Sequence, residues 1–93
     1  MNESLILREA IPADVPAIFQ LIQALAEYEK LSHAVTGTPD SLKNHLFGER
    51  PYAEVILAEC ADKAVGFALF FSNYSTFLTK PGIYLEDLFV LSE

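Results

Sequence analysis

Two adjacent carboxylates, Glu86 and Asp87, stand inside an otherwise apolar run, Tyr84-Leu85-Glu86-Asp87-Leu88-Phe89-Val90-Leu91. Neighbours in a strand point to opposite faces. Regular alternation would therefore group Glu86 with Tyr84, Leu88 and Val90, and Asp87 with Leu85 and Phe89, so the two acids do not form a paired dyad. A carboxylate among apolar neighbours loses hydration and becomes better able to take a proton near neutral pH. Glu86 is thus either a base or a carboxylate at a bulge or strand end held by backbone donors. A second acidic group, Glu27-Tyr28-Glu29, falls where a helix should end. Negative charge is unfavourable beside the negative end of a helix dipole. That group is either a cation anchor or a solvated helix end.

The other reactive side chains form no pattern. His33 and His45 are twelve apart with no cysteine or carboxylate at ligand spacing, so no metal site is expected. Cys60 lies in an apolar run without an activating neighbour and reads as a buried, inert thiol. Gly37, Gly48, Gly66 and Gly82 are isolated, which excludes a glycine-rich phosphate loop among these residues.

The elements that would carry these groups can be read from periodicity and punctuation. Leu5 to Arg8 is strand-like, and Pro12 with a capping Asp14 opens a helix whose apolar positions are Val15, Ile18, Phe19, Ile22, Leu25 and Ala26. Thr38-Pro39-Asp40 opens a second helix with Leu42, His45 and Leu46 inward, and Gly48 ends it in a left-handed exit. Strand-like runs follow at Ala53 to Cys60, Val65 to Ser72 and Ile83 to Leu91, with a hairpin at Ala61-Asp62-Lys63 and a polar loop from Asn73 to Gly82. The expected fold is α/β of the α+β type, a mostly antiparallel sheet in the order strand-helix-helix-strand-strand-strand. The last strand is apolar on both faces and runs almost to residue 93, as expected of a strand in the middle of a covered sheet. Left as an edge it needs a cover, supplied by a second copy or by another chain.

Composition bounds the class. Ninety-three residues, 52% hydrophobic and 20% charged, make at most one small globular domain. A net charge of −7 offers no counterion release from nucleic acid and no attraction to acidic membranes. The amino terminus has no basic stretch, and Leu5-Ile6-Leu7 is too short for a signal core or a membrane span, so a chain without a leader is expected. The glycosylation patterns Asn2-Glu3-Ser4 and Asn73-Tyr74-Ser75 matter only in a secreted protein. One cysteine fits a reduced cytoplasm.

Four segments carry a family resemblance: Leu25-Ala26-Glu27-Tyr28-Glu29, Phe47-Gly48-Glu49-Arg50-Pro51, Val65-Gly66-Phe67-Ala68 and, most specific, Tyr84-Leu85-Glu86-Asp87-Leu88-Phe89-Val90. Together they resemble the amino-terminal half of a GNAT-superfamily N-acetyltransferase of the diamine (spermidine/spermine) branch. The resemblance implies acetyl transfer from acetyl-CoA to a primary amine of a small molecule. It implies Glu86 as the base that deprotonates the substrate ammonium, directly or through water. Tyr28 and Glu29, with Asp87, would bind the acceptor. The backbone of Leu88, Phe89 and Val90 would pair with the pantetheine arm, and an amide there would polarise the thioester carbonyl.

In that branch an Arg-Gly-x-Gly-x-Gly/Ala loop for the pyrophosphate comes next, whereas this sequence closes on Leu91-Ser92-Glu93. Residues 1–93 are therefore expected to be the amino-terminal part of one N-acetyltransferase domain, inactive alone. A homo-oligomer or a complementing carboxy-terminal fragment would be its partner, and a noncatalytic assembly module pairing through the last strand is the alternative. Where animal spermidine/spermine enzymes continue acidic after the first helix, this chain has Leu31-Ser32-His33-Ala34. A shorter diamine, a thialysine-like amino acid or another primary amine then becomes an acceptor.

Overall fold

A computed structural model describes residues 5–91 of the chain; the pattern Asn2-Glu3-Ser4 and the terminal Ser92-Glu93 lie outside them. The elements are β1 (Leu5–Glu9), a 3-10 turn (Pro12–Asp14), α1 (Val15–Tyr28), a second 3-10 turn (Ser32–Ala34), α2 (Pro39–Phe47), β2 (Glu54–Cys60), β3 (Lys63–Ser75) and β4 (Lys80–Val90). The four strands form one antiparallel sheet in the order β1-β2-β3-β4. This is the α+β arrangement expected from the sequence.

Both helices pack on one face of the sheet. The core is Ile18 and Leu21 of α1, Leu46 of α2, Val55 and Leu57 of β2 and Phe67 of β3. Val15, Ile18 and Leu21 recur every three residues and so share one side of α1. The apolar series read from the sequence omits Leu21, which the structure buries, and includes Phe19, which is only half-buried. His45, expected inward on α2, is exposed and meets Tyr52 edge-on at 5.4 Å between ring centres.

The start of α2 is as expected, whereas the start of α1 and the exit of α2 differ. Thr38 caps α2 by accepting a hydrogen bond from the Ser41 amide, 3.1 Å. Asp14 makes no such cap for α1; its carboxylate accepts from the Ile11 amide at 2.7 Å and takes a two-pronged hydrogen bond from Arg8 at 2.8 and 2.9 Å. Arg8 also reaches Glu59 at 2.8 Å, so one guanidinium ties β1, the first turn and β2 together. Gly48 leaves α2 at φ −78, ψ −167, which is not left-handed. Glycine is needed there because a Cβ would stand 2.4 Å from the Asn44 carbonyl oxygen, the acceptor of the Gly48 amide.

The last two strands are longer than their sequence pattern. β3 and β4 continue pairing to Ser75 and Lys80, so most of the expected loop from Asn73 to Gly82 is ribbon. Among the described residues β4 is an edge strand and largely exposed, the uncovered edge that its apolar pattern and late position led us to expect. The sheet face away from the helices carries Leu7, Leu85, Leu88 and Val90, each more than half exposed. Cys60, expected buried, is half-buried.

Two outcomes follow from this packing. Leu57→Ala should cost about 2–5 kcal/mol in urea unfolding, whereas Leu88→Ala, on the uncovered face, should change stability little. Hydrogen bonds from Arg8, with a smaller contribution from the Ile11 amide, hold the Asp14 carboxyl below its ordinary range despite partial burial. A lowered folded value means that this stabilisation is complete above about pH 4, the unfolded value. It is lost as pH falls through the lower folded value, so Asp14→Asn should flatten the acid limb of the stability–pH curve below about pH 4.

Candidate functional site

The candidate residues lie on two elements, the carboxy-terminal ends of α1 and β4. α1 ends in a reverse turn in which the Lys30 amide donates to Glu27 and the Leu31 amide to Ala26, at 3.0 and 2.7 Å. This pairing requires a left-handed residue, usually glycine, after the helix; here Lys30 takes it, with φ 60. The absence of glycine hides this turn from the sequence. It leaves Glu27, Tyr28 and Glu29 exposed at the negative end of the helix with no basic residue in the last turn.

β4 is shaped by a bulge. Leu69 of β3 pairs with Asp87 and the next residue, Phe70, with Leu85, so Glu86 is an extra residue with no partner opposite. The bulge resets the alternation expected from the sequence. Asp87 now shares the helix-side face with Tyr84 and Phe89, and Leu85 shares the other face with Leu88 and Val90. Asp87 and Phe89 are half-buried and Glu86 is exposed. Glu86 is therefore not desolvated by the apolar residues around it in sequence, and no hydrogen bond or ion pair holds its carboxylate among the described residues.

Phe89 joins the two elements. Its ring packs against the core and lies 6.3 Å from that of Tyr28, tilted by 52°. Beside this contact opens a cleft of about 470 Å³, lined by Ala24, Glu27 and Tyr28 from α1 and by Leu88 to Leu91. The structure thus brings Tyr28 together with Leu88, Phe89 and Val90. Glu29, Glu86 and Asp87 do not line the cleft. Glu27, which does, was seen in the sequence only as part of the acidic helix end.

Gly66 sets the spacing at this end of the sheet. A Cβ there would stand 2.8 Å from the Phe89 carbonyl oxygen, so a side chain would push β4 away. The Leu91 amide donates to the Val65 carbonyl at 2.8 Å, closing the ladder just past the cleft. On its other side β4 has no neighbouring strand among the described residues, leaving an edge along Leu88 to Val90 where an extended group can pair.

Electrostatically the site is acidic. Both ion pairs among the described residues gather on Arg8. Glu27, which lines the cleft, and Glu29, Glu86 and Asp87, which do not, therefore have no ion-pair partner among the described residues. No group of three or more His, Cys, Asp or Glu among the described residues could hold a metal ion. No helix among them is long and apolar enough to cross a membrane.

Two helices on one face of a bulged antiparallel sheet, with an open last strand beside the end of the first helix, match the fold of solved acetyltransferase structures over somewhat more than half of their length. The solved structure of an aminoglycoside acetyltransferase, meta-AAC0020, from an uncultured soil metagenomic sample in complex with sisomicin superposes with a TM-score of 0.76 over 95% of this chain and 57% of that one, at 22% identity. No family model matches the chain. The homologues of this chain are N-acetyltransferases of the GNAT type. The thialysine N-epsilon-acetyltransferase of Sus scrofa is 38% identical over 97% of this chain and 57% of its own length. The L-ornithine N5-acetyltransferase NATA1 of Arabidopsis thaliana is 30% identical over 90% of this chain and 57% of its own. The chain spans a little over half the length of these relatives.

The strained helix end gives a direct test. Lys30→Gly should raise stability by roughly 1 kcal/mol, because a left-handed conformation costs a side-chain-bearing residue about that much; urea titration of the two proteins measures it.

Proposed function

We propose that residues 1–93 form the amino-terminal part of an N-acetyltransferase that moves an acetyl group from acetyl-CoA to a primary amine of a small diamine, polyamine or diamino acid in a reducing cytoplasm. The observation that carries this reading is the cleft in which Tyr28 and Glu27 meet the open edge of Leu88 to Val90. It sets an acidic and aromatic acceptor side against a strand edge suited to an extended arm. The names of the thialysine and ornithine relatives support a diamino acid or similar short diamine as the acceptor.

In this reading Tyr28 and Glu29 hold the cationic acceptor, with Asp87 as a further anchor. An ammonium has no lone pair, so the amine must lose a proton before it can attack. Glu86 takes that proton, directly or through water, and its exposed position on the bulge lets it pass the proton on to solvent. Bound acetyl-CoA would supply the activated acyl carbon. The backbone of Leu88, Phe89 and Val90 would hold its pantetheine arm, and an amide of this strand would polarise the carbonyl. The pyrophosphate loop and the general acid would come from a carboxy-terminal part, so this chain alone should not turn over. The unpaired edge of β4 favours one alternative, a noncatalytic module that pairs through this strand with a second copy or another protein.

Native mass spectrometry with and without acetyl-CoA, followed by thiol-release assays on thialysine, ornithine and spermidine, separates these readings. The expected result is no turnover by the chain alone and activity when it is joined to the carboxy-terminal half of a relative. In that joined protein Glu86→Gln should lower kcat by about 10²–10⁴. Turnover by the isolated chain at the rate of a complete enzyme would refute the need for the second half. A joined, folded protein that binds no acetyl-CoA would refute the enzyme and favour the module.

A further inference from the structure

The cleft beside Tyr28 does not end at Ala24. A second cavity of about 280 Å³ adjoins it, walled by Ala17, Gln20 and Ala24 of α1 and by Lys63, Ala64 and Leu91, and the two cavities share Ala24 and Leu91. Together they make one groove along the helix. Ala17, Gln20, Ala24 and Glu27 recur at intervals of three, four and three, so they form a single stripe of α1 next to the buried stripe of Ile18 and Leu21. Two of the four are alanines, whose short side chains leave room between the helix and the end of the sheet. The opposite wall is fixed by the ladder, since the Leu91 amide donates to the Val65 carbonyl at 2.8 Å.

The two ends of this groove carry opposite charge. Glu27 and Tyr28 stand at one end, and Gln20 and Lys63 at the other. Gln20 and Glu27 are two helical turns apart, roughly 10 Å along the axis. Lys63 is the one basic residue lining either cavity among the described residues, and neither it nor Glu27 has an ion-pair partner there. Lys63 can donate to a carboxylate, while the Gln20 side chain offers a carbonyl oxygen to an ammonium and an amide donor to a carboxylate. That set suits an amino-acid head. A ligand with an ammonium at each end would place one of them beside Lys63, where like charges repel. An extended amino acid with a terminal amine, hydrogen-bonded at both ends, spans a groove of this length.

We propose that this groove selects an α,ω-diamino acid over a plain diamine. Lys63 recognises the carboxylate with Gln20 beside it, and the terminal amine reaches Glu27, Tyr28 and the edge of Leu88 to Val90. The proposal rests on the reading of the cleft as the acceptor side, and it adds an anionic head as a requirement on the acceptor.

NMR titration of the full chain with L-ornithine, and with putrescine, which lacks only the carboxylate, tests it. Ornithine should shift the amides of Gln20, Ala24, Glu27, Lys63 and Ala64 and bind about tenfold more tightly than putrescine. Lys63→Met should abolish that preference by weakening ornithine, with an unchanged thermal transition because Lys63 is exposed, and Lys63→Arg should keep it. Lys80→Met removes the same charge from the β3–β4 ribbon and should leave the preference intact, which separates a contact from an effect of net charge. Glu27→Gln should weaken both ligands. Equal affinity for the two ligands, no binding of ornithine, or a preference that survives Lys63→Met would overturn the proposal. So would a Lys63→Met variant that weakens acetyl-CoA and not ornithine, which would make the anion at Lys63 a phosphate of the cofactor. The acetyl-transfer reading fails separately. A joined protein that binds no acetyl-CoA, beside a chain that still prefers ornithine through Lys63, would remove the enzyme and keep the groove. A joined protein that acetylates ornithine and putrescine with equal kcat/KM would keep the enzyme and remove the selection.

Discussion

The ladder between β3 and β4 is the constraint on which the candidate site and the ribbon beyond β2 both depend. At one end Gly66 lets β4 approach closely enough for the Leu91 amide to reach Val65, and this closeness keeps Phe89 over the core and against Tyr28. In the middle the ladder takes in one extra residue, Glu86. At the far end it continues without β2 and becomes a two-stranded ribbon. Shifting the register by one residue would move Asp87 and Phe89 to the other face and expose the ring that joins β4 to α1. The cleft would then lose one wall.

Burial on one face only explains why the site is open. A four-stranded sheet with two helices on one side can bury the facing residues of its central strands and little of its edges. Leu57 and Ile18 are fully enclosed, while β4, an edge strand, keeps Leu85, Leu88 and Val90 in solvent. A strand satisfied on both edges would have no free backbone, whereas β4 has one open edge among the described residues and leaves Glu86 exposed. The same incompleteness that makes β4 a hazard for aggregation gives it the properties a binding edge needs.

How much of this was legible in the sequence follows from how local each feature is. The helix positions were readable because Thr38, Pro39 and the spacing of Val15 and Ile18 act within a few residues. The antiparallel order followed from short connections such as Ala61-Asp62, whose two residues adopt positive φ, as the tightest hairpins require. Long-range packing was not readable. The apolar pattern of β4 on both faces asks for cover, and what covers it lies outside the described residues, among which β4 is an edge. The ribbon was hidden because Asn73, Ser75, Thr79 and Pro81 have the composition of a loop, and their pairing is fixed by the ladder that precedes them.

Among the candidate residues, the bulge marks the boundary between pattern and geometry. Alternation assigned Glu86 to the face of Leu88 and Val90, and it held for each half of the strand separately. It failed only across Glu86, where one inserted residue moves Tyr84 onto the face of Asp87 and Phe89. A carboxylate is a reasonable residue at such a point. It has no cross-strand partner to pack against and pays no desolvation penalty when exposed, so a chemically useful group can sit in an apolar strand without destabilising it. Lys30 illustrates the opposite case. Its left-handed backbone is unfavourable for a residue with a side chain, yet it closes the turn at the end of α1, so stability is given up beside the residues, Glu27 and Tyr28, that form one wall of the cleft.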